Sequence, residues 1–184
     1  MIALVALPLF ACSDGSSDSE SSADADDPEH EEEGTAEGAL TGSSVSCNID
    51  NQPAYSGGSR LGTVKTFKIG SKRVAMKSGN AFLVLQKKAA ARGVSIWLNS
   101  GFRTMDEQRH LYYCYTSGSC NSGNLAARPG YSNHQNGRAL DIGTDNRARL
   151  NQIIRDSGLD WRRTVPSEAW HYEYFGADPG GPCD

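Results

Sequence analysis

An acidic segment with almost no apolar residues occupies the first third of the chain and limits where a folded core can form. Residues 13–44 consist mainly of Ser, Asp, Glu and Gly. Such a segment buries too little apolar surface to offset the entropy lost on ordering, and its like charges keep it extended. The sequence therefore predicts three parts: an export signal over residues 1–12, an acidic disordered tether over 13–45 and one folded domain over 46–184.

The charge of the chain is divided between these parts. Residues 1–59 contain 12 Asp and Glu and no Lys or Arg, whereas residues 60–184 contain the other 10 acidic residues and all 18 basic ones. The net charge of −4 is thus the sum of an acidic arm of −12 and a basic body of +8. We expect the body to bind anionic partners and the arm to be repelled by them.

The N-terminus has the features of an export signal. Residues 1–11 read MIALVALPLFA, a run too short to span a bilayer as a helix but suited to the apolar part of a signal peptide. The sequence LFAC over residues 9–12 resembles a bacterial lipobox, in which Cys12 receives lipid after cleavage. The alternative is an ordinary signal peptide. We expect an exported lipoprotein in the cell envelope, anchored to a membrane and facing the periplasm or the outside.

The remaining four cysteines form an even set, which is typical of an exported domain with disulfides. Three connectivities are possible for Cys47, Cys114, Cys120 and Cys183. Only five residues separate Cys114 from Cys120, so a local bridge between them is the simplest choice. Cys47 and Cys183 would then join the two ends of the domain.

Apolar periodicity and turn residues predict an α+β domain, because strands and helices mix without a regular βαβ repeat. Asn80 is the expected N-cap of one helix, and Thr104 with Glu107 forms a capping box for another. The predicted strands are 64–69, the segment around Val74, 94–98, 138–142 and 170–175, and the predicted helices are 81–92, 104–113 and 145–156. Residues 114–131 are expected to form a long loop.

Two of the four histidines lie in distinctive settings. His134 belongs to the segment SNHQNGRALD over residues 132–141, and His171 follows Glu168 in EAWH. Two imidazoles and a carboxylate with one open position make a reasonable catalytic zinc site, with Asp141 as the third ligand. Asp141 lies in an apolar strand, where an unpaired carboxylate is costly. Either a metal or the side chain of Arg138 would compensate its charge.

These segments resemble the zinc D-Ala-D-Ala carboxypeptidase family, the VanY/VanX-like peptidoglycan metallopeptidases. The resemblance covers roughly residues 81–175 and includes the segment SGFRT at 100–104. It implies a Hedgehog/D-Ala-D-Ala-peptidase-like zinc fold, with a small antiparallel sheet and flanking helices. The roles it implies are as follows: His134, Asp141 and His171 bind Zn²⁺, Glu168 is the general base, Arg103 polarises the substrate, and Gln108 and Ser132 bind the ends of the substrate.

The alternation of side chains along a strand leaves a second candidate for the general base. If residues 170–175 form a regular strand, Glu173 shares a face with His171, whereas Glu168 lies an odd number of positions away. Glu168 can point to the metal only if residues 166–169 form a turn, which Pro166 allows. The family motif favours Glu168.

The predicted function is hydrolysis of peptidoglycan stem peptides by a zinc metallopeptidase, in the first place a D-alanyl-D-alanine carboxypeptidase. An endopeptidase of the same fold is one alternative, and a zinc-containing wall-binding module without turnover is another. Retention of Glu168 and Arg103 argues against the second alternative. We expect a monomer that binds stem peptides, reaches the membrane through its lipid anchor and binds no nucleic acid.

Overall fold

A computed structural model describes residues 43–184, and the predicted signal, Cys12 and nearly all of the predicted tether lie outside these residues. The described part contains two antiparallel sheets and three α-helices, so the predicted α+β class is confirmed. The strands are β1 Val45–Ser56, β2 Ser59–Ile69, β3 Lys72–Ala75, β4 Ile96–Ser100, β5 Ala139–Thr144, β6 Trp161–Arg162 and β7 His171–Tyr174. The helices are α1 Met76–Ala90, α2 Met105–Ser117 and α3 Arg147–Asp156, with a 3₁₀ turn at Asn121–Gly123.

The first sheet is a meander in the order β1-β2-β3. Gly57 and Gly58 join β1 to β2, and both have the positive φ that a two-residue hairpin turn requires. Gly70 and Ser71 join β2 to β3. Strand β1 was not predicted, because its residues are mostly polar and exposed and show little apolar periodicity.

The second sheet has the order β4-β5-β7-β6, and all its pairings are antiparallel. Strand β5 lies between β4 and β7, with Asp141 as the register partner of both Ser100 and His171. Three strands therefore place one polar residue each in a single row across the sheet. The short strand β6 was not predicted.

The hydrophobic core lies between helices α1 and α3 and both sheets. Phe67 of β2, Phe82 of α1 and Leu140 of β5 are almost completely buried there. The amphipathic helix α3 contributes Leu150 and Ile153 to the same core. Within residues 43–184, no helix combines the length and apolarity that a membrane span requires.

Helix α1 begins at Met76, so the prediction that Asn80 caps it was wrong. Asn80 is completely buried inside the helix, and its Nδ2 donates to Asp178 at 3.0 Å and to Asp184 at 3.1 Å. Its amide thus ties the C-terminal segment to the helix instead of satisfying the first helical N–H groups. The chain passes directly from β3 into α1, and Ala75 occupies the N-cap position without a side-chain hydrogen bond.

The capping box of helix α2 is confirmed. Thr104 Oγ1 accepts from the backbone N–H of Glu107, and Glu107 Oε2 accepts from that of Thr104. The helix continues to Ser117, four residues beyond the predicted end, and Gly118 ends it in the left-handed conformation.

The structure contains both predicted disulfides, Cys47–Cys183 and Cys114–Cys120. The first joins β1 to the C-terminal segment, and the second joins the last turn of α2 to the loop that follows it. The Cys47–Cys183 bond thus links the two ends of the domain. The Cys114–Cys120 bond lies where helix α2 passes into the following loop.

Candidate metal and active site

The buried cluster His134, Asp141 and His171 lies where β5 meets β7. One ligand atom from each of these residues falls within 4.8 Å of the other two, an arrangement that can hold a metal ion. Asp141 Oδ1 lies 3.4 Å from His134 Nε2 and 3.3 Å from His171 Nδ1. The structure therefore brings together the three residues that the sequence predicted as ligands.

Local structure fixes each of the three side chains. Asp141 and His171 are register partners on adjacent strands, so both side chains emerge on the same face of the sheet. His134 belongs to the turn before β5, and the backbone N–H of Arg103 donates to its carbonyl at 3.2 Å. The three residues thus come from two strands and one turn that the sheet holds together.

The outer nitrogen of each imidazole faces a protein acceptor. His134 Nδ1 lies 2.8 Å from the carbonyl oxygen of Gly101, so Nδ1 carries the hydrogen and Nε2 presents its lone pair to the cluster. A side chain at position 101 would meet the carbonyl of Arg73 at 2.2 Å, which explains the glycine. On His171, Nε2 lies 3.6 Å from Glu173 Oε1 and Nδ1 faces Asp141. Metal-binding imidazoles commonly have such outer partners.

Electrostatics at the cluster favour a cation. Burial lowers the pKa of His134 and so favours the neutral imidazole that a metal requires. Burial alone would lower the pKa of His171, but the hydrogen bond and charge of Asp141, together with the charges of Glu168 and Glu173, raise it above its ordinary value. Three carboxylates therefore surround this one imidazole, a setting that binding of a positive ion would compensate.

Arg103 supplies the cationic partner of Asp141, not Arg138 as the sequence had left open. Arg103 Nη2 donates to Asp141 Oδ2 at 3.2 Å and to Ser100 Oγ at the same distance. Burial alone would raise the pKa of Asp141, but hydrogen bonds from the two histidines and the charge of Arg103 hold it well below its usual range. The exposed Arg138 lies instead over the ring of Phe175.

Glu168 and Glu173 lie on opposite edges of the His171 ring. The N–H of Glu168 donates to the carbonyl of Val165, so the predicted turn is present, and Glu168 Oε2 lies 3.6 Å from His171 Nδ1 on the side of Asp141. Its side chain is 31% exposed and so accessible to a substrate. Glu173 lies beside Nε2, on the far edge, and its side chain is only 3% exposed.

Glu173 is also occupied by neighbours. Its Oε1 accepts from Asn133 Nδ2 at 2.8 Å and from the hydroxyl of Thr164. Asn133 precedes His134, so this one carboxylate contacts the segments of both histidines. Glu173 thus has the position of a residue that orients His171, and Glu168 has the position of a base.

The side chains of Gln108 and Ser132 both form hydrogen bonds with backbone groups in this structure. Gln108 is completely buried, and its Nε2 donates to the carbonyl of Ala127 at 2.8 Å, while Ser132 Oγ accepts from the N–H of His134 at 3.3 Å. Their predicted contacts with a substrate stay predictions. Sequence reasoning missed the roles of Ser100 and Gly101, although their position beside Arg103 in the SGFRT segment was a usable signal.

A known protein family matches the part of the chain that contains several residues of the site. The model of the family "VanY: D-alanyl-D-alanine carboxypeptidase" matches residues 71–161, a range that includes Arg103, His134 and Asp141 and ends before Glu168 and His171. The chain is similar to this family of carboxypeptidases over this range, and it is a peptidase of the metallo-carboxypeptidase class. Among curated proteins, no relative matches.

Solved structures of the same class are also similar to the chain. VanYB in complex with D-alanine-D-alanine is 26% identical with a TM-score of 0.44, and covers 57% of this chain and 73% of its own. A vancomycin-resistance D,D-pentapeptidase VanY variant in complex with Zn(II) is 22% identical with a TM-score of 0.48. The match covers 67% of this chain and 83% of that protein. The LD-carboxypeptidase LdcB is 22% identical with a TM-score of 0.45. The match covers 56% of this chain and 60% of that protein.

Proposed function

We propose that the chain is a zinc-dependent D-alanyl-D-alanine carboxypeptidase that removes the terminal residue of peptidoglycan stem peptides. The observation that carries the proposal is the buried cluster of His134, Asp141 and His171, with Glu168 on its accessible side and Arg103 bound to its carboxylate. Two neutral imidazoles and one carboxylate are a donor set that zinc commonly uses when it keeps a position open for chemistry.

The outer contacts of the cluster support a bound metal ion. The carbonyl of Gly101 fixes the tautomer of His134, and the carboxylate of Glu173 lies 3.6 Å from His171 Nε2 on the far side of that ring. A bound zinc ion would act as a Lewis acid toward water and toward the peptide carbonyl. The family model that matches residues 71–161 suggests the bond that is cleaved, a D-alanyl-D-alanine peptide bond.

The side chains of the protein then carry the proton and the charge. Glu168 accepts a proton from the water that attacks the carbonyl carbon and returns it to the amine that leaves when the C–N bond breaks. Arg103 stabilises the negative charge that develops on the carbonyl oxygen, with Ser100 and Asp141 holding its guanidinium in place. Burial lowers the pKa of Arg103 and the charge of Asp141 opposes this effect.

Digestion of purified stem peptides tests the proposal. The protein is incubated with a pentapeptide stem with and without a chelator, zinc is then restored, and product masses are read. Release of one terminal D-alanine that the chelator abolishes and zinc restores is the expected result. Cleavage within the stem or cross-link identifies the endopeptidase alternative. Stoichiometric zinc with no turnover on any stem identifies the wall-binding module.

We further propose that the protein is exported and anchored by lipid on Cys12. The two disulfides support an oxidising compartment. Membrane fractions of producing cells are compared for the wild type and Cys12→Ser, and the N-terminal peptide is examined by mass spectrometry. Acylated Cys12 and release of the variant from the membrane are the expected results. Equal membrane association of both proteins would contradict the anchor.

A further inference from the structure

A basic cavity adjoins the candidate active site at Arg103. It has a volume of about 440 Å³ and lies between the β2–β3 turn, the end of β4 and the start of α2. Lys68, Lys72 and Arg73 line it together with Arg103, and Glu107 is the one acidic residue in its lining. Its volume is within the range of about 300–1,000 Å³ that is usual for ligand pockets.

The positive charge of this cavity is not balanced by the protein. Lys68 and Arg73 are direct register partners across the β2–β3 hairpin, and like charges in such positions repel each other. Arg73 pairs with Glu107 at 3.3 Å, but among residues 43–184 neither Lys68 nor Lys72 has an acidic partner within 4.0 Å. An anionic ligand would remove this repulsion.

The cavity is continuous with the residues that would perform the chemistry. Ser100 and Arg103 line it, and the same two side chains hydrogen-bond each other beside Asp141. Lys68 lies outside the range that matches the family model, on a strand that helps to build the wall of the cavity. A peptide bound at Arg103 therefore has a positively charged cavity beside it.

We propose that this cavity is a subsite for a free internal carboxylate of the peptide substrate. The proposal rests on the proposed peptidase function and adds the chemistry of the group that this chain selects. Lys68 and Lys72 attract the carboxylate as mobile point charges, while Arg73 is held by Glu107. A cavity of about 440 Å³ suits a short acidic side chain better than an extended polyanion, which follows a long basic surface.

Paired substrates and paired variants test the subsite. Two stem-like peptides share the same C-terminal residues and differ only in whether one internal carboxylate is free or amidated. The zinc-loaded full-length protein is compared with the double variant Lys68→Gln/Lys72→Gln and with a control, Lys87→Gln/Lys88→Gln. The control removes the same charge from two exposed lysines at the end of α1.

We expect the wild type and the control to prefer the free carboxylate through a lower KM, with kcat unchanged. The Lys68→Gln/Lys72→Gln variant should lose about three- to thirtyfold of this preference, since an exposed ion pair contributes modestly and two are removed. The preference should also fade as salt is raised. Equal discrimination by this variant and the wild type would overturn the subsite while leaving the peptidase function intact.

Calorimetric binding to the Glu168→Gln variant, with and without the two lysine substitutions, separates the subsite from turnover. Preference for the free carboxylate that depends on Lys68 and Lys72 supports the subsite even if no hydrolysis is found, in which case only the proposed function fails. If the two substitutions weaken binding of a purified phosphate-rich wall polymer and leave peptide discrimination unchanged, the cavity binds the polymer and the proposal is wrong.

Discussion

The three-stranded sheet β1–β3 and the four-stranded sheet β4–β7 differ in what their strands bury. Every residue of β7 is buried and so are five of the six residues of β5, whereas most of β1 is exposed. The buried strands contain Asp141, His171 and Glu173, polar groups that a core admits only when they are paired. The four-stranded sheet therefore carries the chemistry.

The three-stranded sheet holds the site from outside. The N–H of Tyr55 donates to the carbonyl of Gln135, and that of Gly58 donates to the carbonyl of Gly130, so the hairpin fastens the loop that contains His134. The carbonyl of Arg73 accepts from the N–H of Phe102, next to Arg103. The comparison indicates that substitutions at the polar residues of the four-stranded sheet should abolish hydrolysis. Substitutions in the three-stranded sheet should instead change the stability of the domain and its affinity for ligands.

The largest expected effect is loss of the metal from the four-stranded sheet. His134→Ala or His171→Ala should lose most bound zinc, and activity should fall by about 10³-fold or more because the Lewis acid contributes several kcal/mol. Metal analysis by mass spectrometry, with hydrolysis rates, measures both. Circular dichroism checks the fold. Stoichiometric zinc in either variant would contradict the ligand assignment.

The two glutamates of the site should separate catalysis from metal binding. Glu168→Gln should retain zinc and lose about 10²–10⁴-fold in kcat, because a general base is removed. Glu173→Gln should weaken zinc binding by about 10–100-fold and keep kcat at saturating metal, because it removes the outer partner of His171. Chelator competition and kinetics measure the two effects. An inactive Glu173→Gln beside an active Glu168→Gln would reverse the roles.

Removal of either disulfide should lower the stability of the domain, and the two bonds should differ in how much they contribute. Replacing Cys47 and Cys183 by Ser should lower the free energy of unfolding by about 2–5 kcal/mol, because the bond closes a sequence separation of 136 residues. Cys114 and Cys120 have a sequence separation of only 6, so their replacement should cost about 2 kcal/mol. Denaturant titration measures both, after non-reducing peptide mapping of the wild type. A larger loss from the local bond would contradict this order.

The smallest expected effect concerns the acidic arm. Deletion of residues 13–44 should strengthen binding of the basic body to anionic wall material at low salt, because the arm is repelled by the same polymer. A pull-down across a salt series measures the effect, which should disappear as exposed charges are screened. Equal binding of both proteins at low salt would leave only a spacer role. Inhibition of the truncated protein by free arm peptide would instead indicate that the arm folds back.

The sequence predicted the four-stranded sheet better than the three-stranded one, for a physical reason. Strand β4 has buried Ile96 and Leu98 on alternate positions, so its periodicity is visible in the sequence. Strand β1 is polar, and it forms because β2 pairs with it and Cys47 bonds to Cys183. Pairing between strands and a bond across the whole domain leave no local signal.

Helix α1 shows how tertiary contacts override a local signal. Asn80 before an apolar stripe is a normal N-cap pattern, but the helix gains more by starting at Met76 and burying Asn80 against Asp178 and Asp184. These partners lie about a hundred positions away in the chain. The C-terminal segment therefore decides a boundary that local propensity misplaces.

By itself, the sequence determined the α+β class, the capping box of α2, the candidate ligands and the local Cys114–Cys120 bond, because each depends on residue type and short spacing. Only the tertiary structure decided which cation meets Asp141 and which edge of His171 each glutamate faces. Those outcomes depend on strand register and on one turn, which set distances between residues far apart in the chain. The basic cavity beside Arg103 likewise exists only once the β2–β3 turn packs near helix α2.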